Sequence, residues 1–526
     1  MLLDRGELPV LVIGAGPTGL TAALELSRLG VPVRIVDRAL EPSTTSRALG
    51  IQARTLELLR PRGVADEMLR LGNRARRTAL HADGRRIASL EFGRMSSQFD
   101  FILMLAQSET ERVLAERLGA QGVKVERGPA FTSLEERPDC VAVTLRVPDG
   151  TTETVLASYV IAADGSHSPV RKSLGLPFTG RALPQNYVLG DVHLTGDIPE
   201  DQLSIFLARN GFLAVFPMGA GRFRFMATDP DGVTGDAAEP SLPAVQALYD
   251  RTVGIPATLE GMSWSSRFRI NSRHMDTLRA GRVFFGGDAA HVHSPAGGQG
   301  MNAGIQDMVN LSWKLAMVVR GVARPELLDT YESDRLPVIR QLVGMTERAT
   351  TAFNSTTPLV HAALTTLAPL LLSRDAVQDK AVARLGQIAG SYDGAPITKG
   401  GGRIGGLRAG DRVPDLELAD GRLYDLVDTS ALTLLTTNVG TEIADAARPW
   451  ADAIVVREVD LPAGVVDGAG WLLVRPDGYL AAAGRARDGA RLTSWLSRWL
   501  LTPSLLSPSP PTPPHPRADA KGLRLR

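Results

Sequence analysis

Cysteine is almost missing from this chain: Cys140 is the one example in 526 residues. A single thiol excludes an intrachain disulfide, a Cys-x-x-Cys redox pair and a cysteine-built metal site, and it fits a reducing cytoplasm. An excess of one charge is missing too. With 58 basic and 57 acidic residues the formal charge is +1, so nothing favours nucleic acid or an anionic membrane surface as a partner. Long apolar runs are also lacking. The most apolar late stretch, Pro358 to Leu372, is too short to span a bilayer and is broken by His361, Thr365, Thr366 and Pro369. Asp4, Arg5 and Glu7 interrupt the N-terminus, which reads as a lead-in to a first strand and not as a signal peptide. His291 and His293 are two apart with no third ligand nearby, so no metal is expected. These absences predict a soluble, cytoplasmic protein of about three domains.

What the chain does contain is concentrated first between Val10 and Asp37. Val10 to Ile13 is a buried-strand run, and Gly14, Gly16 and Gly19 follow in G-x-G-x-x-G spacing. They open a helical pattern carrying Leu20, Ala23, Leu24 and Leu26, and a second run, Val33 to Val36, ends on Asp37. Gly14 permits a tight turn, Gly16 lets backbone N–H groups approach a pyrophosphate, and Gly19 lets helix and strand pack closely. The helix N-terminus then faces phosphates, and Asp37 is placed to accept hydrogen bonds from an adenosine ribose. The strand, helix, second strand and acidic end together predict a dinucleotide site.

Further on, Arg47 lies in a loop where a guanidinium can clamp a diphosphate, although an exposed surface arginine is the plainer reading. Ala53 to Leu59 reads as a helix, His81 to Phe92 as a hairpin, and Gln107 sits at a strand-to-helix junction. Val141 to Val147 and Thr154 to Ala162 read as strands. The second runs into Asp164-Gly165-x-x-Ser168-x-Val170-Arg171, which brings Asp164 beside the first glycine turn if the strands are neighbours. From Asn186 to Asp229 the period changes to two, with Asn210-Gly211 as a hairpin signal. An antiparallel sheet is predicted there, with Phe212, Phe216, Met218, Arg224 and Met226 as pocket candidates; ordinary core is the alternative. Gly281 to Phe285 is another buried strand. It ends in Gly286-Gly287-Asp288, and a second glycine-rich loop, Ser294 to Asn302, opens a long helix. Pro396 to Gly406 reads as a linker. Strands near Leu432 to Thr437 and Ala453 to Glu458 follow, then a helix bearing Leu492, Trp495 and Trp499, and a proline-rich tail with little to bury.

These residues resemble those of class A flavoprotein aromatic hydroxylases. The likeness is to the para-hydroxybenzoate hydroxylase fold, in the phenol and polyketide hydroxylase branch that adds a thioredoxin-like domain. Gly14, Gly16 and Gly19 match the family's ADP-binding fingerprint, and Asp164, Gly165, Ser168, Val170 and Arg171 its Asp-Gly motif. Gly287, Asp288, Pro295, Gly297, Gly300 and Asn302 match the motif that holds the ribityl chain and flavin ring.

The resemblance implies an α/β fold. A dinucleotide-binding (Rossmann-like) FAD domain would comprise 1–75, 100–180 and 275–395, with an inserted antiparallel-sheet substrate domain of 76–99 and 181–274. A linker (396–409), a thioredoxin-like domain without redox cysteines (410–500) and a disordered tail (501–526) would follow. It also implies FAD contacts from Pro17, Thr18, Asp37, Arg38, Arg47, Gln107, Asp164, Gly287, Asp288, Pro295 and Met301, besides the motif glycines. Backbone N–H groups of Gly300, Met301 and Asn302 would stabilise the charge of reduced flavin as an oxyanion hole does.

The implied activity is hydroxylation of a phenolic or polyketide aromatic, as in antibiotic biosynthesis. It would run through a flavin C4a-hydroperoxide, with NADPH or NADH as transient reductant and O2 as co-substrate. A monomer or homodimer with a small aromatic or polycyclic substrate is expected. Baeyer–Villiger or epoxidising chemistry, an oxidase, and a non-catalytic flavoprotein that binds an aromatic ligand are the alternatives on the same fold.

Overall fold

A computed structural model describes residues 8–44, 48–208, 211–229, 239–295, 297–462, 464–466 and 468–502. Arg47, the hairpin residues Arg209 and Asn210, and nearly all of the proline-rich tail therefore lie outside the described residues.

Strand β1 (Val10–Ile13) is wholly buried and pairs in parallel with β2 (Val33–Asp37) on one side and with Tyr159–Ala162 on the other. A strand covered on both faces needs an unbroken apolar run, which Val-Leu-Val-Ile supplies. Helix α1 (Pro17–Arg28) crosses between β1 and β2, with proline at its first turn, where no backbone N–H is needed. The strand order is 279–280, 283–285, 159–162, 10–13, 33–37, 125–127, and only the 279–280 edge is antiparallel. One neighbour of β1 follows directly through α1, whereas the other comes much later in the chain. The crevice between them is a topological switch point, where such sheets open onto ligands at their carboxyl ends.

The strand expected over Thr154 to Ala162 is two strands in two sheets. Thr152–Ala157 joins Val141–Arg146 and Ala130–Glu136 in an antiparallel sheet, while Tyr159–Ala162 enters the parallel one. The change falls at Ser158, whose N–H and hydroxyl both donate to the Pro9 carbonyl, at 2.9 and 3.3 Å.

An eight-stranded sheet carries the antiparallel region, in the order 291–292, 257–274, 179–196, 222–229, 211–219, 202–208, 77–82, 85–91. The period-two alternation sorts its residues onto two faces. Phe206, Leu213, Val215, Phe223 and Phe225 pack with Val245 and Tyr249 of helix Leu242–Val253. Phe212, Ala214 and Met226 form the opposite face with Tyr187, Leu207 and Ile270.

The C-terminal unit has strands 454–458, 432–437, 470–474 and 480–485 in that order, one pair parallel and two antiparallel. Its last helix, Gly489–Trp499, faces the rest of the protein: Trp495 Nε1 donates to the Ile397 carbonyl at 2.7 Å. The glycine-rich segment 396–409 packs against this sheet, with Ile397 and Ile404 buried and Gly401 accepting the Ala483 N–H at 2.7 Å. Among the described residues no helix is long and apolar enough to cross a membrane.

Candidate active site

The three glycines after β1 divide the work. A Cβ on Gly14 (φ +104°) would lie 2.2 Å from the Ala163 carbonyl oxygen, and one on Gly19 would lie 1.8 Å from the Gly14 oxygen. A Cβ on Gly16 would meet nothing within 4 Å. Two glycines thus weld the turn to the neighbouring strand end and to α1, and the third leaves open space over the first N–H groups of α1, which have no intrahelical acceptor. Asp37, half-buried at the end of β2, accepts the Ala15 N–H at 2.7 Å and the Ala39 N–H at 2.8 Å, so its carboxylate also fixes the turn. Arg38 beside it is exposed. Thr18 points inward instead of toward the cradle. A Cβ on either Gly287 or Gly304 would come within 2.3 Å of its Oγ1, so the hydroxyl fills a notch between those glycines.

Asp164 follows the strand next to β1. Its Oδ2 accepts the Val170 N–H at 3.1 Å, its Oδ1 is buried with no hydrogen-bond partner, and burial pushes the carboxyl up. Ser168 caps the following helix by accepting the Arg171 N–H at 3.0 Å. The Arg171 guanidinium donates to the Ala289 carbonyl at 2.7 Å and to the Ser166 carbonyl at 2.8 Å. It thereby ties the Asp-Gly segment to the Gly287–Ala289 turn.

That turn is held from behind. Asp307 Oδ2 accepts the Gly287 N–H at 3.1 Å and pairs with His291 Nε2 at 2.7 Å, while Asp307 Oδ1 accepts from Arg335 Nε at 2.7 Å. Burial alone would raise the Asp307 carboxyl, but Arg335 and His291 hold it down at about 2. Asp288 is exposed between the buried residues Gly287 and Ala289. Pro295 closes the next turn by accepting the Gly298 N–H at 2.8 Å.

The helix Gly300–Val319 makes its first intrahelical bond from the Ala303 N–H to the Gln299 carbonyl, at 2.9 Å. The N–H groups of Gly300, Met301 and Asn302 therefore have no acceptor within it. The Asn302 side chain is committed elsewhere: it accepts the Gln52 N–H at 2.9 Å and donates to the Gly50 and Gly298 carbonyls at 2.8 and 2.9 Å. Only its backbone N–H is left for a ligand.

Five buried side-chain atoms near these turns have no partner among the described residues: Asp164 Oδ1, Gln52 Oε1, Gln299 Nε2, His291 Nδ1 and His293 Nε2. Orphaned buried polar atoms are costly unless something else satisfies them. A mixed set of donors and acceptors, beside an open glycine cradle and a helix N-terminus, fits a diphosphate joined to a planar heterocycle. Gln52, Gln299, His293 and Asp307 were not picked out as contacts from the sequence, because no local motif marks them. Gln107 opens helix Gln107–Gly119 and its Nε2 donates to Glu111 at 2.8 Å.

The five pocket candidates share one face of the large sheet, at alternating positions of 211–219 and 222–229, with Met226 buried beside Phe212. Phe212 is core of that face, packed against Tyr187 and Phe353 with ring centroids 6.1 and 5.7 Å apart. Phe216 and Met218 are half-buried. Arg224 is not a free cation: it grips both oxygens of Asp191 at 2.6 and 2.7 Å and donates to the Ala48 carbonyl at 3.3 Å. Asp191 and Arg224 are register partners on adjacent strands.

Residues 7–346 match the family described as FAD binding domain, and residues 407–503 the one described as aromatic-ring hydroxylase, C-terminal. The chain is 37% identical to 6-methylpretetramide 4-monooxygenase of Streptomyces rimosus, covering 95% of each protein. It is 34% identical to pentachlorophenol 4-monooxygenase of Sphingobium chlorophenolicum, over 85% of this chain and 83% of that one. The solved structure of the anhydrotetracycline hydroxylase OxyS from Streptomyces rimosus superposes with a TM-score of 0.77 at 31% identity, covering 94% of this chain and 99% of that one. The chain belongs to the FAD-binding aromatic-ring hydroxylases. It is an FAD-dependent monooxygenase, an enzyme class that uses O2 and a nicotinamide reductant.

Proposed function

We propose that this monooxygenase hydroxylates a phenolic or polycyclic polyketide ring, drawing electrons from NADPH or NADH. The observation that carries the reading is the set of buried polar atoms without a partner beside the open N-terminus of the Gly300 helix. The unsatisfied groups around Gly297–Asn302 suit a flavin edge, and the apolar sheet face with Phe212, Phe216 and Met218 suits a flat aromatic partner. FAD, when bound, supplies hydride acceptance and the activation of O2.

The chain's own residues orient and shield. Gly16, Thr18 and Gly19 would present backbone N–H groups to the diphosphate, with Gly14 shaping the turn and Pro17, which has no N–H, starting the helix; Asp37 with neighbouring Arg38 would take the adenosine ribose, and Asp164, Gly287 and Asp288 the ribityl chain. Arg47 and Gln107 would flank the cofactor, and the Pro295 loop would hold the ring. Gly300, Met301 and Asn302 would aim three N–H groups, with the helix dipole behind them, at charge on the ring edge. Phe212, Phe216 and Met218 would exclude water from the substrate, and Arg224, held by Asp191, would shape the pocket end. The C-terminal unit is read as a thioredoxin-like domain with a structural role, and the protein as a cytoplasmic monomer or homodimer.

The test is direct. The purified protein should be yellow, and a polycyclic phenol should accelerate its NADPH consumption. The product should carry label from 18O2. Label from H218O, or ligand binding without flavin reduction by either nicotinamide across a phenol panel, would sink the reading.

A further inference from the structure

We propose that His293 is a redox-linked proton acceptor: its imidazole stays neutral while the cofactor is oxidised and takes a proton on Nε2 when the cofactor is reduced. This rests on the reading that FAD lies at the N-terminus of the Gly300 helix.

The tautomer follows from one contact. His293 Nδ1 lies 2.8 Å from the Ser294 carbonyl oxygen. A carbonyl only accepts, so Nδ1 carries the hydrogen and Nε2 is left with a lone pair. That Nε2 is buried and has no partner among the described residues. It lies against the first residue of the helix, since a Cβ on Gly300 would stand 3.6 Å from it. An acceptor therefore sits unused beside the three N–H groups of Gly300, Met301 and Asn302.

The surroundings decide when that lone pair is protonated. The ring stacks on His291 with centroids 6.5 Å apart and planes 14° apart. His291 is in turn paired with Asp307 from the Gly300 helix, and Asp307 with Arg335 from helix Asp329–Phe353. Those two charges oppose each other. Strand Ala257–His274 brings Arg273 opposite Val292 and His274 opposite His291, and the Gly287–Ala289 turn brings Asp288. Burial, with His291 adding to it, pulls the imidazole down to about 4, so it is neutral near pH 7.

Reduction changes the balance. A nicotinamide gives up a hydride, two electrons and a proton, and is itself oxidised, so the site gains one negative charge. In a water-poor pocket that charge is expensive to leave uncompensated. The helix N-terminus offers roughly half an elementary charge. One proton drawn from solvent onto His293 Nε2 supplies a full one and restores the net charge of the site; reoxidation releases it.

The FAD-loaded full chain tests this by redox potentiometry between about pH 6 and about pH 8, the range in which a histidine can switch. For a two-electron couple each proton taken up moves the potential about 30 mV per tenfold change in proton activity. The wild type should follow about 60 mV per pH unit, one proton arriving with the hydride and one on His293. His293→Gln should follow about 30 mV. A wild-type slope near 30 mV overturns the proposal without any variant. Equal slopes in both proteins overturn it too, since the second proton then sits elsewhere. Nitrogen-15 NMR of labelled histidine gives an independent reading on the wild type: one imidazolium ring should appear on reduction, and a persistently neutral His293 would refute the idea. If the wild type binds no FAD, the functional reading falls first and takes this one with it.

Discussion

Arg475, in the C-terminal unit, donates to Asp334 of helix Asp329–Phe353 at 2.8 Å, and neither side chain has any exposed surface. Lys314 reaches the same carboxylate oxygen at 2.7 Å, and Asp477 takes the Nε–Nη2 edge of the guanidinium, sharing the Nη2 that reaches Asp334. Arg335, next along the helix, holds Asp307 and so the Gly287 turn. Breaking a buried pair by removing one partner strands the other charge, at a cost of about 3–5 kcal/mol. Arg475→Met and Asp334→Ala should each lose about that much in urea unfolding, and the double variant less than the sum. A loss below about 1 kcal/mol for Arg475→Met would mean that the link between the units is slack.

Asp288 is exposed in an otherwise buried turn, where a charged acceptor suits ribityl hydroxyls. Asp288→Ala should weaken FAD binding by about 1.5–3 kcal/mol, roughly ten- to hundredfold, as read by flavin fluorescence titration. FAD retained through dialysis as well as by the wild type would remove Asp288 from the cofactor site.

The notch that holds Thr18 predicts an epistatic pair. Gly304→Ala puts a methyl within 2.3 Å of Thr18 Oγ1, so α1 and the Gly300 helix must separate. A loss of about 1–3 kcal/mol is expected from such overpacking. Thr18→Ala should recover part of it, because the clash is with the hydroxyl. Strictly additive melting shifts in the double variant would assign the crowding to another neighbour.

His293 also sets a pH limit for the cofactor-free protein. Its folded value of about 4 lies below its ordinary 6.5. Between those values the unfolded chain binds the proton and the folded one does not, so stability rises with pH across that window. Stability is fully present above 6.5 and is lost as pH falls through 4. The total is about 3 kcal/mol, and His293→Gln should flatten this limb of the stability curve. An unchanged limb would assign the acid sensitivity to other groups.

Backbone requirements were legible in the sequence. Gly14 and Gly19 stand where any side chain would strike a carbonyl, so their spacing announced both turn and helix. The Asp-Gly segment and the Gly287–Asn302 loop were readable for the same reason. The break at Ser158 was not, because the residues on both sides of it suit a strand and only the pairing partner changes. Gln52, Gln299 and His293 were also hidden. Gln52 reaches Asn302 across 250 positions of chain, and no local pattern encodes such a contact. Arg224 looked like a pocket cation from its strand position, but its neutralisation by Asp191 depends on cross-strand register.

The position of β1 bears on how the protein is made. Val10–Ile13 leaves the ribosome well before Tyr159–Ala162, the strand that covers one of its two edges. At 5–20 residues per second, roughly 150 residues of synthesis separate the two strands by on the order of ten seconds. For that interval four apolar residues with an unpaired edge are open to any other strand. Translation speed through the intervening segment, and chaperone occupancy of the nascent chain, should therefore bear on yield.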